Sequence, residues 1–381
     1  MHIARLQSLR GLAALAVLAG HAMAVFPNGL PQHPGMTFTL ASMTEFAGIL
    51  LFQPNTAVIL FYVLSGFVLG LSLSRSPAAD PRGYLYFLGK RALRMVPMMW
   101  GSIVLMSAIL LISGPAPQFG DLTGTFKNAY LVPVDPVNTT LNLLGFRADI
   151  NGVLWSVQVE LAMAFVLPLF AAMQHRTGVL VDVTIVAGLY LLSQSPVVPL
   201  GFQYAYCFYL GMFLHKALRL PSCAHFLRSG WLTVAALALL VPVDFVWNWG
   251  LISAAVKFAA DALIAAQLIG YLVARPDDAG FLDHRALVYL GDISYSLYVL
   301  GQPMLMLCAF VLLRDTTGNF SNGFAFGVSL VMIAICVPVT ILLGGLSFRR
   351  IERPFIDIAR KLARPDRRSA DTLAIDANAK G

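Results

Sequence analysis

FAFGVSLVMIAICVPVTILLGGLS, residues 324–347, runs for 24 positions without a charged side chain and ends on Phe348-Arg349-Arg350. About 20 apolar residues in helical form cross the hydrocarbon of a bilayer, and arginines gathered at the end of such a run mark a cytoplasmic terminus. Working outward, nine more stretches approach the same length: 9 to 26, 54 to 73, 93 to 112, 152 to 172, 179 to 195, 201 to 218, 231 to 246, 251 to 273 and 286 to 313. The chain therefore reads as an all-α polytopic membrane protein of about ten transmembrane helices. The fifth and seventh stretches are the shortest.

Composition agrees. Of 381 residues, 58% are hydrophobic and only 12% charged, with a mean hydropathy of +0.75, where a soluble chain carries about 25% charged residues. We read residues 1–362 as one membrane domain and the polar stretch 363–381 as a disordered cytoplasmic tail. With the N-terminus cytoplasmic, 22 of the 26 basic residues fall on the cytoplasmic side, three (Lys127, Arg147, Arg314) fall opposite, and Lys257 lies within a span. That asymmetry supports ten spans and places both termini in the cytoplasm. It also accounts for the net charge of +7 as orientation signals, which excludes nucleic acid as the partner. Arg10 and His21 argue that the first stretch is a retained span, because a disposable export signal has no use for them. Cys207, Cys223, Cys308 and Cys336 have no metal-ligand or disulfide spacing, so no metal is expected.

Ionisable groups inside spans normally face a cavity or a partner. His21, Glu160, Lys257 and Asp261 meet that description. Lys257 and Asp261, four residues apart, share a helix face and read as a structural ion pair. Arg10 and His21 are eleven residues apart, which is about three turns and about 16 Å along one face. This puts Arg10 at the cytoplasmic mouth and His21 near mid-membrane. A neutral imidazole there could take a proton from a hydroxyl nucleophile, or it could simply hydrogen-bond between helices. Arg91 and Arg94, in a basic run closed by Pro97 where the third span starts, could pair with phosphate or serve only as positive-inside anchors. Glu160, about 12 Å into the fourth span from the outer face, could orient a histidine or arginine, or bind sugar hydroxyls.

Six blocks in order resemble acyltransferase family 3, the membrane O-acyltransferases of surface polysaccharides and related glycoconjugates. They are Leu9-Arg10-Gly11-Leu12-Ala13-Ala14 followed by His21; Phe61-Tyr62-Val63-Leu64-Ser65-Gly66-Phe67; Arg91 and Arg94 with Pro97; Trp155-Ser156 and Glu160 before Pro168; Leu290 to Tyr298 before Pro303; and Glu352-Arg353-Pro354. The resemblance implies a bacterial inner-membrane enzyme that uses acetyl-CoA or another acyl-CoA as a donor substrate, with no tightly bound cofactor. Its acceptor would be a hydroxyl of a saccharide or glycolipid, and a homodimer is left open. It implies His21 as the catalytic residue with Arg10 its partner and Glu160 beside them. Arg10, Arg91, Arg94 and Ser65 become donor-site residues, and Trp155, Tyr298 and Gln302 candidate acceptor or cavity lining. Relatives often carry a histidine shortly before the proline that is here Pro303. This chain has Leu300-Gly301-Gln302, which implies a different acceptor or a wider pocket. A polytopic transporter of a small anion or glycolipid is the alternative function, weakened by the absence of any inverted internal repeat.

Overall fold

The computed structural model of the protein describes residues 4–25, 53–75, 80–114, 124–275, 280–314 and 322–362, and every regular element among them is helical. The expectation for residues 363–381 lies outside the described residues. In chain order the helices are α1 (Ala4–Met23), α2 (Pro54–Arg75), α3 (Pro81–Ser113), α4 (Gly124–Ala129), α5 (Pro136–Leu143), α6 (Leu154–Gln174), α7 (Val179–Ser193) and α8 (Leu200–Gln203). They continue with α9 (Ala205–Ala217), α10 (Pro221–Arg228), α11 (Gly230–Asn248), α12 (Ala254–Ala274), α13 (Arg285–Asp292), α14 (Ser294–Leu313), α15 (Asn322–Ser347) and α16 (Arg353–Leu362). A short 3₁₀ turn, Phe281–Asp283, precedes α13, and a π-helical turn, Phe348–Glu352, joins α15 to α16.

A helix occupies part of each of the ten apolar stretches. Seven helices among the described residues are long and apolar enough to cross a membrane. Those of the first, fifth and sixth stretches fall short for different reasons. α7 has 15 residues and α9 has 13, while α1 reaches 20 but dilutes its apolar side chains with Arg5, Gln7, Ser8, Arg10 and His21. The outward faces are suited to lipid and not to water. Only 11% of the apolar window of α11 is buried, with Trp231, Leu239 and Val241 exposed along it.

Two boundaries differ from the sequence reading, each for a local reason. The third span starts at Pro81, twelve residues earlier than expected, because Asp80 caps it by accepting the Gly83 amide at 3.2 Å and Pro81 supplies a first turn with no N–H to satisfy. The basic run Lys90 to Arg94 consequently lies inside a 33-residue helix and not at its start. The ninth stretch is broken at Ile293 into α13 and α14. A side chain at Gly291 would collide with the backbone of Gln7, so this glycine lets α13 lie directly on α1 before the chain turns inward as α14.

α1 packs on α2, α13, α14 and α15, which places it at the middle of the bundle. The closest crossing is that of α2 with α9. A Cβ on Gly66 would overlap the Phe208 carbonyl oxygen, and one on Gly211 would overlap that of Val63. Small residues at such a crossing let two backbones touch where lipid supplies no hydrophobic drive.

Polar groups pin the two ends of the bundle. At one end Arg5 donates to Asp283 at 2.9 Å and to the Arg275 carbonyl at 2.6 Å, while Ser8 donates to the Leu282 carbonyl at 2.6 Å. The Arg5 guanidinium, then the Gly280 amide, hold the Asp283 carboxyl below the usual carboxylate range. A depressed native pKa stabilises the fold above the unfolded value, about 3.9, and that stabilisation is lost as pH falls through the native value. The stability of an Asp283→Asn variant should therefore converge on that of the parent as pH is lowered below about 4. Thermal unfolding in detergent at pH 7 and pH 3 checks this, and a gap that stays constant would refute it.

At the other end the Lys257 ammonium lies 2.7 Å from Asp261, 3.4 Å from Asp244 and 3.0 Å from the Thr56 hydroxyl. It also sits over the rings of Trp247 and Phe258. The expected i,i+4 pair is present, with a second aspartate that sequence spacing did not point to.

Candidate active site

A further group of charges gathers on α1, α3, α6 and the π turn. Arg91, with its side chain 10% exposed, donates to Glu160 Oε2 at 2.7 Å, to the Ser65 hydroxyl at 3.2 Å and to the Glu160 carbonyl at 3.4 Å. An arginine shielded to that degree and held by a carboxylate is more than a topology anchor, because an anchor would reach outward to headgroups. Arg10, in the second turn of α1, feels the charges of Arg94, Glu160, Glu352 and Arg91 yet makes no hydrogen bond among the described residues. Arg94 is exposed. Three guanidinium groups thus face two carboxylates, an excess of one positive charge.

Glu352 belongs to this cluster and was missing from the candidate residues. It is 3% exposed, accepts a hydrogen bond from the Ser296 hydroxyl, and faces the charges of Arg94 and Arg10. Its position beyond the last apolar run disguised it as part of a surface segment. The widened π turn Phe348–Glu352 carries it back into the bundle, and such turns frequently mark functional sites. The Glu352-Arg353-Pro354 block was the available signal.

Next to the charges lies a small, partly open cavity, lined by Arg10, Val58, Phe61, Tyr62, Ser156, Val157, Glu160, Ser294, Tyr295 and Tyr298. Its contacts order the four surrounding helices. On α6, Glu160 stands at the charged end, Ser156 one turn on meets the Tyr298 hydroxyl at 2.6 Å, and Gly152 beyond the helix start lies beside the Gln302 amide. On α14 the sequence is Tyr295, which feels Arg94 and Arg91, then Tyr298, then Gly301 packed against Leu18 of α1. On α2 it is Ser65, then Tyr62, then Val58. The lining therefore forms a short shaft between α1, α2, α6 and α14, running from the guanidinium and carboxylate end to the paired Ser156 and Tyr298 hydroxyls; Leu18, Gly301 and Gln302 do not line it.

The candidate residues take up distinct places along that shaft. Arg10, Glu160 and Tyr298 line the cavity, and Arg91 and Ser65 are joined to it through Glu160. Trp155 does not line it; its ring packs 6.5 Å from Tyr62 and 5.7 Å from Tyr204. His21 is on the same helix as Arg10, about 16 Å away, but in the last turn of α1 and not near its middle. His21 makes no hydrogen bond among the described residues, so the bond between helices considered for it is not formed there. Gly301, where relatives often have histidine, is filled by Leu18: a Cβ on it would lie 3.3 Å from the Leu18 Cδ1.

Among known proteins, the chain is 28% identical over 198 residues to Nodulation protein 10 of Rhizobium leguminosarum bv. viciae, an alignment covering 49% of this chain and 50% of that protein. The chain thus spans about half the length of the curated relative it matches. No solved structure matches. The acyltransferase family 3 model, described as an acyltransferase domain, matches residues 3–343, which includes all the shaft-lining residues. An all-α bundle with lipid-facing helices, a buried arginine and glutamate cluster and this match together identify the chain as a member of the membrane acyltransferase family 3.

Proposed function

We infer that the protein is a membrane-bound O-acyltransferase that moves an acyl group, acetyl being the simplest, from acyl-CoA to a hydroxyl of a cell-surface or exported saccharide. The observation that carries this reading is the positive excess at one end of a cavity lined by Arg10, on the same helix as His21. Arg91 is already held by Glu160 and Ser65, so it fixes the shape of the site, while Arg10 and Arg94 are left to meet the donor's phosphates. The pantetheine arm then runs past the hydroxyls and delivers the thioester to His21. With ten spans and cytoplasmic termini, the charged end opens to the cytoplasm, where acyl-CoA is made, and His21 lies toward the opposite face.

At that point an acceptor hydroxyl oxygen bonds to the carbonyl carbon, the carbon–sulfur bond breaks, and sulfur leaves with the electron pair. His21 takes the hydroxyl proton and returns it to the thiolate. The same geometry serves a two-step route in which the imidazole first receives the acyl group and then passes it on. In this reading Gln302, which packs beside Gly152, contacts the acceptor.

The test is thiol release. Purified protein in nanodiscs, given acetyl-CoA and a saccharide extract from the producing cells, should generate free CoA together with acetylated saccharide. A transporter would bind or move its solute and release no thiol, and that result would overturn the reading.

A further inference from the structure

One polar atom in the cavity finds no partner among the described residues. Tyr62 is 1% exposed, lines the cavity, and its hydroxyl has no hydrogen-bond partner among the described residues. It shares the cavity lining with Glu160 and Tyr298. Leaving a buried hydroxyl unpaired is unfavourable, and phenylalanine would fill the same volume without that cost. Rotation cannot relieve it, because the ring stacks on Phe208 at 5.1 Å and 28° and meets Tyr204 at 5.1 Å and Trp155 at 6.5 Å. The crossing of Gly66 and Gly211 fixes the backbone just beyond it. The hydroxyl is held in one place and waits for a partner from outside the chain.

Position and chemistry narrow that partner. Tyr62 is three residues from Ser65 on α2, so it stands about 4.5 Å along the shaft from the guanidinium level, on the way to the far end. This is short of His21, about 16 Å from Arg10, and hence short of any reacting thioester. The surroundings are mainly apolar, from Val58, Phe61, Val157 and the Tyr295 ring. Glu160, Ser156 and Tyr298 already provide acceptor oxygens, so an unpaired phenol contributes a donor. The ligand atom that fits is a neutral acceptor a few ångströms beyond a phosphate group, on an otherwise aliphatic chain.

Resting on the acyl-CoA reading above, we propose that the Tyr62 hydroxyl donates a hydrogen bond to an amide carbonyl of the donor's pantetheine arm, forming a subsite that recognises the arm and not the phosphates or the acyl group. Tyr62 is in this sense a specificity residue. It takes no part in bond breaking.

The test uses the full chain in nanodiscs, with Tyr62→Phe compared to the parent in equilibrium binding of CoA and of adenosine 3′,5′-bisphosphate, which keeps the nucleotide end and lacks the arm. Tyr62→Phe should bind CoA about fivefold to tenfold more weakly, bind the bisphosphate as the parent does, raise KM for acetyl-CoA by the same factor with kcat within about twofold, and unfold no more easily than the parent. Unchanged CoA affinity, equal weakening of both ligands, or a clear loss of stability would each overturn the proposal, the last by revealing a structural partner. Failure of the parent to bind CoA would instead overturn the acyl-CoA reading and the subsite with it.

Discussion

Replacing His21 by alanine should abolish acyl transfer, with thiol release from acetyl-CoA falling by at least about 10²- to 10⁴-fold, the range that a positioned acid–base group supplies. The protein should remain folded and inserted. The imidazole makes no hydrogen bond among the described residues, so its removal strands no buried donor or acceptor, and a stranded group is what usually makes a buried polar substitution destabilising. Activity and fold therefore separate at this position. Thiol release is measured beside the melting profile and gel-filtration behaviour of the same sample. A variant that transfers at the parental rate would remove His21 from the mechanism.

The largest loss of stability should come from Lys257→Met. Lys257 and Asp261 are each 1% exposed and Asp244 is 3% exposed, so the ammonium is the positive charge that faces two carboxylates sealed inside the bundle. Removing it leaves uncompensated buried charge, a loss of about 3–5 kcal/mol. The ammonium also joins α2 through Thr56 to α11 and α12, which spreads the damage over three helices. Adding Asp244→Leu and Asp261→Leu should restore much of the stability, because well-packed apolar residues often replace a buried ionic group without penalty. Unfolding in detergent across the single and triple variants checks both statements. A single variant as stable as the parent would show that the charges are solvated.

The two predictions concern residues that the sequence exposed to different degrees. Lys257 and Asp261 were legible as a pair because i,i+4 spacing is local geometry. Asp244 was not, since it reaches the same ammonium from a helix that sequence separates by a loop. The relation of Arg10 to His21 was also legible, as both lie on one helix and helical rise fixes their separation. Arg91 and Glu160 were each recognisable as candidates, but nothing in their spacing joins residues 69 apart, and the 2.7 Å contact depends on how α3 leans on α6.

Glu352 and Tyr62 fall furthest from what sequence could supply. One is drawn inward by a π turn that no periodicity announces. The other is a tyrosine in an apolar helix, where an unpaired hydroxyl becomes informative only once every neighbour is known.

By itself the sequence determined that this chain belongs in a bilayer, which stretches form its helices, and which family it resembles, because hydrocarbon tolerates almost nothing but long uncharged helices and so imprints their length on the residues. Only the tertiary structure decided which charges meet, which hydroxyl is left without a partner, and where the shaft runs. Those depend on contacts between helices, and in a membrane such contacts are set by close packing at a few small residues such as Gly66, Gly211 and Gly291, whose spacing along the chain carries no record of what they touch.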